Sequence, residues 1–336
     1  MKDLISNLCE KYNLGHLTQE PVTITGGLLH KMYRVVTGQG KYAIKALNPD
    51  IMKRPEALRN MIHSELVSNQ LKDIIPLVAA KAFDGNHVLE EDGAFFMVYD
   101  WLDGRSVFVP EISEYHCKQV GRMLGKIHAA DLKIEGMDKE SESRSAYEWD
   151  AFLEEAHRQN ADWCQILEDN LQKIKQWDED VVANQPEISK VRVISHRDLD
   201  PKNVLWKDNR AYIIDWEAAG YVNPYQELVE VLNYWIVDVE GKYDGRKLQM
   251  LMDAYTESMD INGVNWKAVL KCSFDGMLGW LEYNVKRTLG LEGSSEEDRE
   301  EGSKQIVGTI GELKRYEEQV AVLRQWIVEF TKTKYA

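Results

Sequence analysis

The sequence predicts an α+β protein with a small, β-rich first lobe and a larger, helical second lobe. Between residues 21 and 100, runs of β-branched and aromatic residues alternate with glycine-containing turns, as in antiparallel hairpins. After Gly104 the apolar residues instead follow the period of amphipathic helices. This change of period places the lobes at residues 1–100 and 101–336.

Five strands and one helix are predicted for the first lobe. The strands fall at residues 22–24, 33–36, 42–46, 77–80 and 95–99. Residues 55–72 have a helical pattern in which Leu58, Ile62 and Leu66 recur every fourth position. An antiparallel sheet with one packed helix is therefore expected there.

Long helices dominate the prediction for the second lobe. One apolar face is formed by Val120, Met123, Leu124 and Ile127. Another runs over several turns through Ile306, Ile310, Leu313, Val320, Leu323 and Ile327. Only residues 191–194, 204–206 and 211–214 are predicted as strands. The acid-rich residues 292–301 are predicted as a solvated loop or helix end.

Composition excludes several classes of protein. A chain of 336 residues with 44% hydrophobic residues can bury a large core, so disorder is excluded as its main state. The net charge of −15 opposes binding to nucleic acids and to anionic membranes. The four cysteines form no metal-binding or disulfide pattern. No signal peptide or membrane span is evident, so a cytoplasmic protein with reduced thiols is expected.

Three oxygen-bearing side chains near residues 194–217 carry the strongest chemical signal. Asp198 and Asn203 lie five apart in a polar loop after a predicted strand, and Asp215 ends the next apolar run. Mg²⁺ prefers hard oxygen ligands and keeps several waters, so one carboxylate and one amide suffice when nucleotide phosphates complete its shell. Asp198 then remains free to accept a proton.

The pattern His196-x-Asp198-x-x-x-x-Asn203, followed by Asp215, is that of a kinase catalytic loop and its metal ligand. Here the chain resembles the aminoglycoside phosphotransferase and choline kinase family, which has a bilobal, protein-kinase-like fold. The resemblance implies that Asp198 is the catalytic base, that Asn203 and Asp215 hold Mg²⁺, and that His196 braces the loop.

The first lobe contains the expected nucleotide-binding residues. Lys45 lies in a Tyr-Ala-Ile-Lys strand that is similar to the kinase lysine strand, and Glu65 on the following helix is its expected ion-pair partner. Gly26 and Gly27 are expected to let the backbone approach the phosphates. The backbone around Asp100 and Leu102 is expected to bind the adenine of ATP, or the guanine of GTP, a choice the sequence leaves open.

Each of these residues also has an ordinary structural interpretation when taken alone. Asp198 could cap a turn, Asn203 and Asp215 could end a loop and a strand, and Lys45 and Glu65 could be surface charges. Their joint order and spacing favour the functional interpretation.

The resemblance also implies that the acceptor is a small, cationic molecule with a hydroxyl group, and the charge distribution supports this expectation. The first 100 residues hold 11 basic and 12 acidic side chains, so nearly all of the net negative charge belongs to residues 101–336. An acid beside an aromatic ring can hold an amine. The candidate acceptor residues are Glu217, Asp150, Glu154, Trp280 and Glu282.

These features predict a kinase that transfers the nucleotide γ-phosphate to an aminoglycoside-like antibiotic or an amino alcohol. A protein kinase is the first alternative, although no activation segment or Ala-Pro-Glu sequence follows Asp215. The second alternative is a non-catalytic nucleotide-binding or assembly module, and the intact Lys45, Asp198, Asn203 and Asp215 argue against it.

Overall fold

The structure, a computed structural model, describes residues 1–24, 30–137, 144–292 and 296–336, without the side chains of residues 297 and 298. Gly26 and Gly27, which were predicted to approach the phosphates, lie outside the described residues.

The chain folds into helices and short strands in the following order. The helices are α1 (Lys2–Lys11), α2 (Pro49–Met52), α3 (Ala57–Leu71), α4 (Glu114–Ala129), α5 (Trp149–Gln159), α6 (Cys164–Ile188), α7 (Pro224–Trp235), α8 (Gly245–Tyr255), α9 (Trp266–Cys272), α10 (Asp275–Thr288) and α11 (Glu296–Lys334). The strands are β1 (Val22–Ile24), β2 (Lys31–Val36), β3 (Lys41–Ala46), β4 (Leu89–Glu91), β5 (Ala94–Asp100), β6 (Val193–Ser195), β7 (Val204–Lys207), β8 (Arg210–Ile213) and β9 (Gly220–Val222). This content confirms the α+β prediction.

A five-stranded antiparallel sheet forms the β-rich part, with strand order β1-β2-β3-β5-β4. Its alternating side chains bury Val35, Ile44 and Val98 on one face. Helix α1 covers that face with Ile5 and Leu8, both fully buried. This amino-terminal helix was not predicted, because its ten residues are mostly polar and only one narrow stripe packs against the sheet.

Residues 77–80 were predicted as a strand of this sheet, and that prediction is wrong. Leu77 makes only an isolated parallel bridge to Ile213, and the Val78 N–H donates to the Ile213 carbonyl at 2.9 Å. The fifth strand is β4 instead. A short apolar run has the sequence pattern of a strand both when it pairs with a sheet and when it packs beside one as an extended segment. The sequence therefore did not distinguish the two.

Helix α3 lies within the predicted residues 55–72, but its apolar stripe faces outward. Leu58, Ile62 and Leu66 are each about 40% exposed. The buried face includes Ser64, Glu65 and Ser68 together with apolar neighbours. The helix is thus held from its buried side by apolar packing together with the hydrogen bonds that Glu65 accepts from Ala80 and Tyr99.

The described residues fall into two compact units. The first comprises Met1–Phe108, Ala130–Met137 and Ile194–Gly220, and so combines the five-stranded sheet with the β7–β8 hairpin. The second comprises Val109–Ala129, Asp138–Val193 and Tyr221–Ala336 and is helical. The lobe boundary placed after residue 100 stays a prediction.

Helices α4 and α8 of the second unit pack closely through glycines. A Cβ on Gly121 would lie 2.2 Å from the Leu251 carbonyl oxygen, and one on Gly125 would lie 2.6 Å from the Tyr255 carbonyl oxygen. The buried Val120, Met123, Leu124 and Ile127 of α4 confirm its predicted inner face.

We expect Gly121→Ala to lower the free energy of unfolding by about 1–3 kcal/mol, because the added methyl group forces the two backbones apart. Thermal or urea denaturation measures the change. Gly311→Ala on α11 is the matched control, since a Cβ there meets nothing within 4 Å and alanine favours a helix. Equal stability of Gly121→Ala and the unchanged protein would contradict this close packing.

All four cysteines are buried and free. Among the described residues, no helix combines the length and the apolar character needed to cross a bilayer.

Candidate active site

The predicted catalytic loop follows β6 in the first unit and is braced by His196. This ring is fully buried and packs edge-on against Trp216. Its Nδ1 accepts the Asp198 N–H at 3.2 Å, so Nε2 carries the proton and donates to the Ile214 carbonyl at 2.9 Å. The imidazole thereby joins the loop to the end of β8.

Asp198 and Asn203 lie together within this loop. Pro201–Asn203 forms a 3₁₀ turn capped by Asp200, which accepts the Lys202 N–H at 2.7 Å. The turn brings the Asn203 amide nitrogen 2.8 Å from the Asp198 carbonyl and 2.9 Å from its Oδ2. Asn203 therefore fixes the Asp198 carboxylate, whose Oδ1 has no hydrogen bond to the described part of the chain.

Burial raises the pKa of Asp198, although the nearby charges of Lys202 and His196 oppose this effect. The Lys202 ammonium lies 3.4 Å from Asp198 Oδ2. Lys202 was not among the predicted site residues. Its position directly before Asn203 was the available signal, because the turn places it beside Asp198.

Asp215 is positioned by the β7–β8 hairpin. The strands pair from Val204↔Ile213 to Lys207↔Arg210, and the two turn residues, Asp208 and Asn209, have φ values of 50° and 59°, as a type I′ turn requires. The Ile214 N–H donates to the Asn203 carbonyl at 2.9 Å. Asp215, with φ of 60°, follows immediately.

The predicted lysine meets Asp215 in the first unit. Lys45 is 6% exposed on β3, and its Nζ lies 2.8 Å from Asp215 Oδ1 and also contacts Glu217 Oε2. Burial lowers the pKa of Lys45, but the two carboxylates outweigh it and hold the pKa above its ordinary value. For Asp215, burial raises the pKa, but the charge and hydrogen bond of Lys45 oppose this effect. The pKa lies below its ordinary value, so the carboxylate stays charged.

The expected ion pair between Lys45 and Glu65 is absent among the residues that the structure describes. The Glu65 carboxylate instead accepts three hydrogen bonds, from the Ala80 N–H at 2.8 Å, the Ser68 hydroxyl at 3.0 Å and the Tyr99 hydroxyl at 3.2 Å. Burial raises the pKa of Glu65 despite these donors. Both oxygens of Glu65 thus already accept hydrogen bonds, and the one from Tyr99 links α3 to β5 of the sheet.

His30, like Lys202, lies near the predicted site residues but was not itself predicted to have a role there. Its ring is buried, its Nδ1 accepts the Asn48 N–H at 2.9 Å, and its Nε2 lies 3.5 Å from Glu217 Oε2. Burial and the charge of Lys45 lower the pKa of His30 from 6.5 to about 4. His30 is therefore neutral at physiological pH.

We expect this shift to reduce stability as the pH falls from about 6.5 to about 4. In that window an unfolded histidine binds a proton that folded His30 rejects, so protons favour unfolding. Melting temperatures of the unchanged protein should fall more steeply across this range than those of His30→Asn, which keeps an acceptor for Asn48. Parallel profiles would contradict the depressed pKa.

The backbone after β5 offers a free donor where adenine binding is predicted. Asp100 pairs with Tyr42, the Trp101 N–H donates to the Lys41 carbonyl at 3.1 Å, and the Leu102 carbonyl accepts the Gly104 N–H at 2.9 Å. The Leu102 N–H donates to no acceptor among the described residues. An unpaired backbone donor of this kind can bind a ring nitrogen of a nucleotide base.

Four of the predicted acceptor residues lie in the second unit. Asp150 and Glu154 are on α5, where Asp150 forms an exposed pair with Lys175. Trp280 and Glu282 are on α10, where Trp280 stacks on Tyr283 and Glu282 pairs with Lys286. Glu217, the fifth, lies in the first unit against Lys45.

The donor set suits a hard divalent cation. Both side-chain hydrogen bonds of Asn203 are donated by its amide nitrogen, which turns Oδ1 away from Asp198, and Oδ1 has no partner among the described residues. Asp215 contributes a charged carboxylate. One amide oxygen and one carboxylate are ligands that Mg²⁺ accepts alongside phosphate and water.

Solved structures of similar fold include three small-molecule kinases. A spectinomycin phosphotransferase in complex with ADP and spectinomycin matches at 16% identity with a TM-score of 0.71, over 94% of this chain and 98% of that one. A choline kinase from Cryptosporidium parvum Iowa II matches at 15% identity and 0.64, over 98% and 100%. A microcompartment-associated aminopropanol kinase matches at 13% and 0.61, over 94% and 97%.

These likenesses confirm the predicted α+β, protein-kinase-like fold class. In addition, residues 21–260 match the phosphotransferase enzyme family. This match spans more than half of the sequence and contains Lys45, the catalytic loop and Asp215. The chain therefore belongs to the phosphotransferase enzyme family.

Proposed function

We propose that this phosphotransferase transfers the γ-phosphoryl group of ATP or GTP to a hydroxyl group of a small, cationic acceptor. The observation that carries the proposal is the pairing within one compact unit of Asp198 with Asn203 and of Asp215 with Lys45. In the first pair a base lies beside a metal ligand, and in the second pair a metal ligand lies beside a phosphate-binding cation. Phosphoryl transfer requires these groups.

In the proposed mechanism, Asp198 orients the acceptor hydroxyl and takes its proton. The acceptor oxygen forms a bond to the γ-phosphorus as the bond to the bridging oxygen breaks, and the nucleoside diphosphate leaves. The raised pKa of Asp198 makes it a stronger base than an exposed aspartate. Its Oδ1, which accepts no hydrogen bond from the residues that the structure describes, is the oxygen available to the hydroxyl.

The remaining residues fix the nucleotide. Lys45 would bind its phosphates, and the Leu102 N–H its base. Asn203 Oδ1 and Asp215 would hold Mg²⁺, which when bound neutralises phosphate charge and aligns the transferred group. We assign nucleotide binding to residues 1–100 and acceptor binding to residues 101–336.

The acceptor class is proposed from charge and from the relatives. Nearly all of the net charge of −15 lies in residues 101–336, which favours a cationic acceptor. The similar structures are enzymes named for spectinomycin, choline and aminopropanol. An aminoglycoside-like antibiotic or an amino alcohol is therefore the proposed substrate, with Trp280, Glu282, Asp150 and Glu154 as its proposed contacts.

A nucleotide-consumption screen tests this function. Candidate acceptors are aminoglycosides, spectinomycin, choline, ethanolamine, aminopropanol, homoserine and sugar-like alcohols, each with ATP and with GTP in the presence of Mg²⁺. We expect one chemical class to accelerate consumption. Phosphorylation of peptides or of the chain itself would favour a protein kinase, and nucleotide binding with no transfer to any acceptor would favour a non-catalytic module.

A further inference from the structure

Glu217 occupies the place at Lys45 that sequence assigned to Glu65. Glu217 Oε2 contacts the Lys45 ammonium directly, and its side chain is 25% exposed while that of Lys45 is 8% exposed. Glu65 makes no ion pair with Lys45 among the described residues, and its carboxylate instead accepts hydrogen bonds from Ala80, Ser68 and Tyr99. A buried ammonium needs a paired anion to remain charged.

Asp215 also pairs with Lys45, but the proposed function gives it a second task. A carboxylate that binds a divalent cation has less negative charge to offer a lysine. Once Asp215 is engaged in this way, Glu217 is the remaining carboxylate at the Lys45 ammonium among the described residues.

A second group, the ring of His30, lies near the same Glu217 oxygen that contacts Lys45. His30 Nδ1 accepts the Asn48 N–H at 2.9 Å, so the proton of the neutral ring resides on Nε2, which lies 3.5 Å from Glu217 Oε2. Glu217 Oε2 therefore has both a buried N–H group and a buried ammonium nearby, and both favour a negative charge on this oxygen.

We propose that Glu217 is the positioning residue of Lys45, and that Glu65 instead fastens α3 to the sheet. The proposal rests on the proposed function, in which Lys45 binds nucleotide phosphates. It removes Glu217 from the acceptor-binding residues and assigns it to the nucleotide side of the reaction.

The experiment compares Glu217→Gln and Glu217→Asp with Glu65→Gln, using Glu90→Gln on an exposed strand position as the control. Calorimetry with ADP at saturating Mg²⁺ measures nucleotide affinity. We expect Glu217→Gln to weaken ADP binding about tenfold or more, because the ammonium loses a charged partner. Glu217→Asp should recover part of that loss, and KM for the acceptor should be unchanged.

Glu65→Gln should show the opposite pattern. The amide replaces one carboxylate oxygen with a donor, which then faces either the Ala80 N–H at Oε2 or the Tyr99 hydroxyl at Oε1, so the melting temperature should fall. Its ADP affinity should change less than that of Glu217→Gln. The reverse ranking of the two variants in ADP affinity would overturn the proposal.

Two other outcomes would also overturn it. A rise in the acceptor KM with unchanged ADP affinity would make Glu217 an acceptor contact. A rise only in the Mg²⁺ concentration for half-maximal activity would make it a metal ligand.

A further measurement needs neither nucleotide nor turnover. The rate at which a small amine-directed acylating reagent modifies Lys45, followed by mass spectrometry, should increase in Glu217→Gln and not in Glu65→Gln or Glu90→Gln. Failure of the proposed function would appear as absent nucleotide binding in the unchanged protein, with this labelling difference intact. An unchanged labelling rate in Glu217→Gln and Glu217→Asp would refute the positioning role by itself.

Discussion

Replacement of Asp198 by asparagine should lower turnover by about 10²–10⁴-fold while nucleotide affinity stays nearly constant. The amide has almost the same shape, and its oxygen can still accept the Asn203 hydrogen bond that now reaches Asp198 Oδ2 at 2.9 Å. It cannot accept the proton of an acceptor hydroxyl. The loss should therefore appear in kcat, measured with the acceptor that the screen identifies.

Asp200→Asn is the matched control, since Asp200 lies in the same loop and caps the 3₁₀ turn. Asparagine caps helical turns about as well as aspartate, so turnover should remain within a few-fold of that of the unchanged protein. Equal turnover of Asp198→Asn and Asp200→Asn would exclude Asp198 as the base.

Replacement of Asp215 by asparagine should reduce turnover by about 10³-fold or more, because it weakens charge stabilisation at the transferred phosphoryl group. The substitution removes the ionic contact with Lys45, which is now 2.8 Å long. It also removes the negative charge that would bind a divalent cation. We expect the Mg²⁺ concentration for half-maximal activity to rise as well. Turnover as a function of Mg²⁺ concentration measures both effects.

Asp208→Asn serves as the control for Asp215. Asp208 also has positive φ, at 50°, but lies at the exposed turn of the β7–β8 hairpin. Asparagine adopts this conformation readily. If Asp215→Asn kept full activity with unchanged Mg²⁺ dependence, Asp215 would have no role as a metal ligand.

Local sequence predicted the catalytic loop and its hairpin because their signals are short-range. The His196, Asp198 and Asn203 spacing lies within one turn-forming segment, and the hairpin has strands of alternating pattern joined by Asp208-Asn209. The fold class followed from the change of apolar period near residue 101. In these regions the same few residues determine both the local structure and the geometry of the site.

The partner of Lys45 was not predictable because it depends on contacts between distant segments. Glu65 lies on the expected helix, but whether it faces Lys45 is decided by donors from Ala80 and Tyr99. Glu217 contacts Lys45 because the residues that follow the β7–β8 hairpin lie beside β3. The sequence around either glutamate therefore does not indicate which of the two contacts Lys45.

The strand prediction at residues 77–80 was wrong, and the outward-facing apolar stripe on α3 was not foreseen, for a related reason. An apolar run indicates burial or extended structure without naming the neighbour, so residues 77–80 pair with Ile213 rather than with the sheet. On α3, the buried face holds Glu65 and Ser68 beside apolar neighbours, whereas Leu58, Ile62 and Leu66 remain exposed.

Direct detection of the phosphorylated acceptor tests whether this protein transfers the γ-phosphoryl group to the hydroxyl of a small molecule. Mass spectrometry of a reaction containing Mg²⁺, nucleotide and the acceptor from the screen should show one phosphate monoester formed for each nucleoside diphosphate released, and none with Asp198→Asn. Nucleotide consumption that proceeds equally without acceptor, or phosphate recovered on the chain or on peptides instead, would contradict the account.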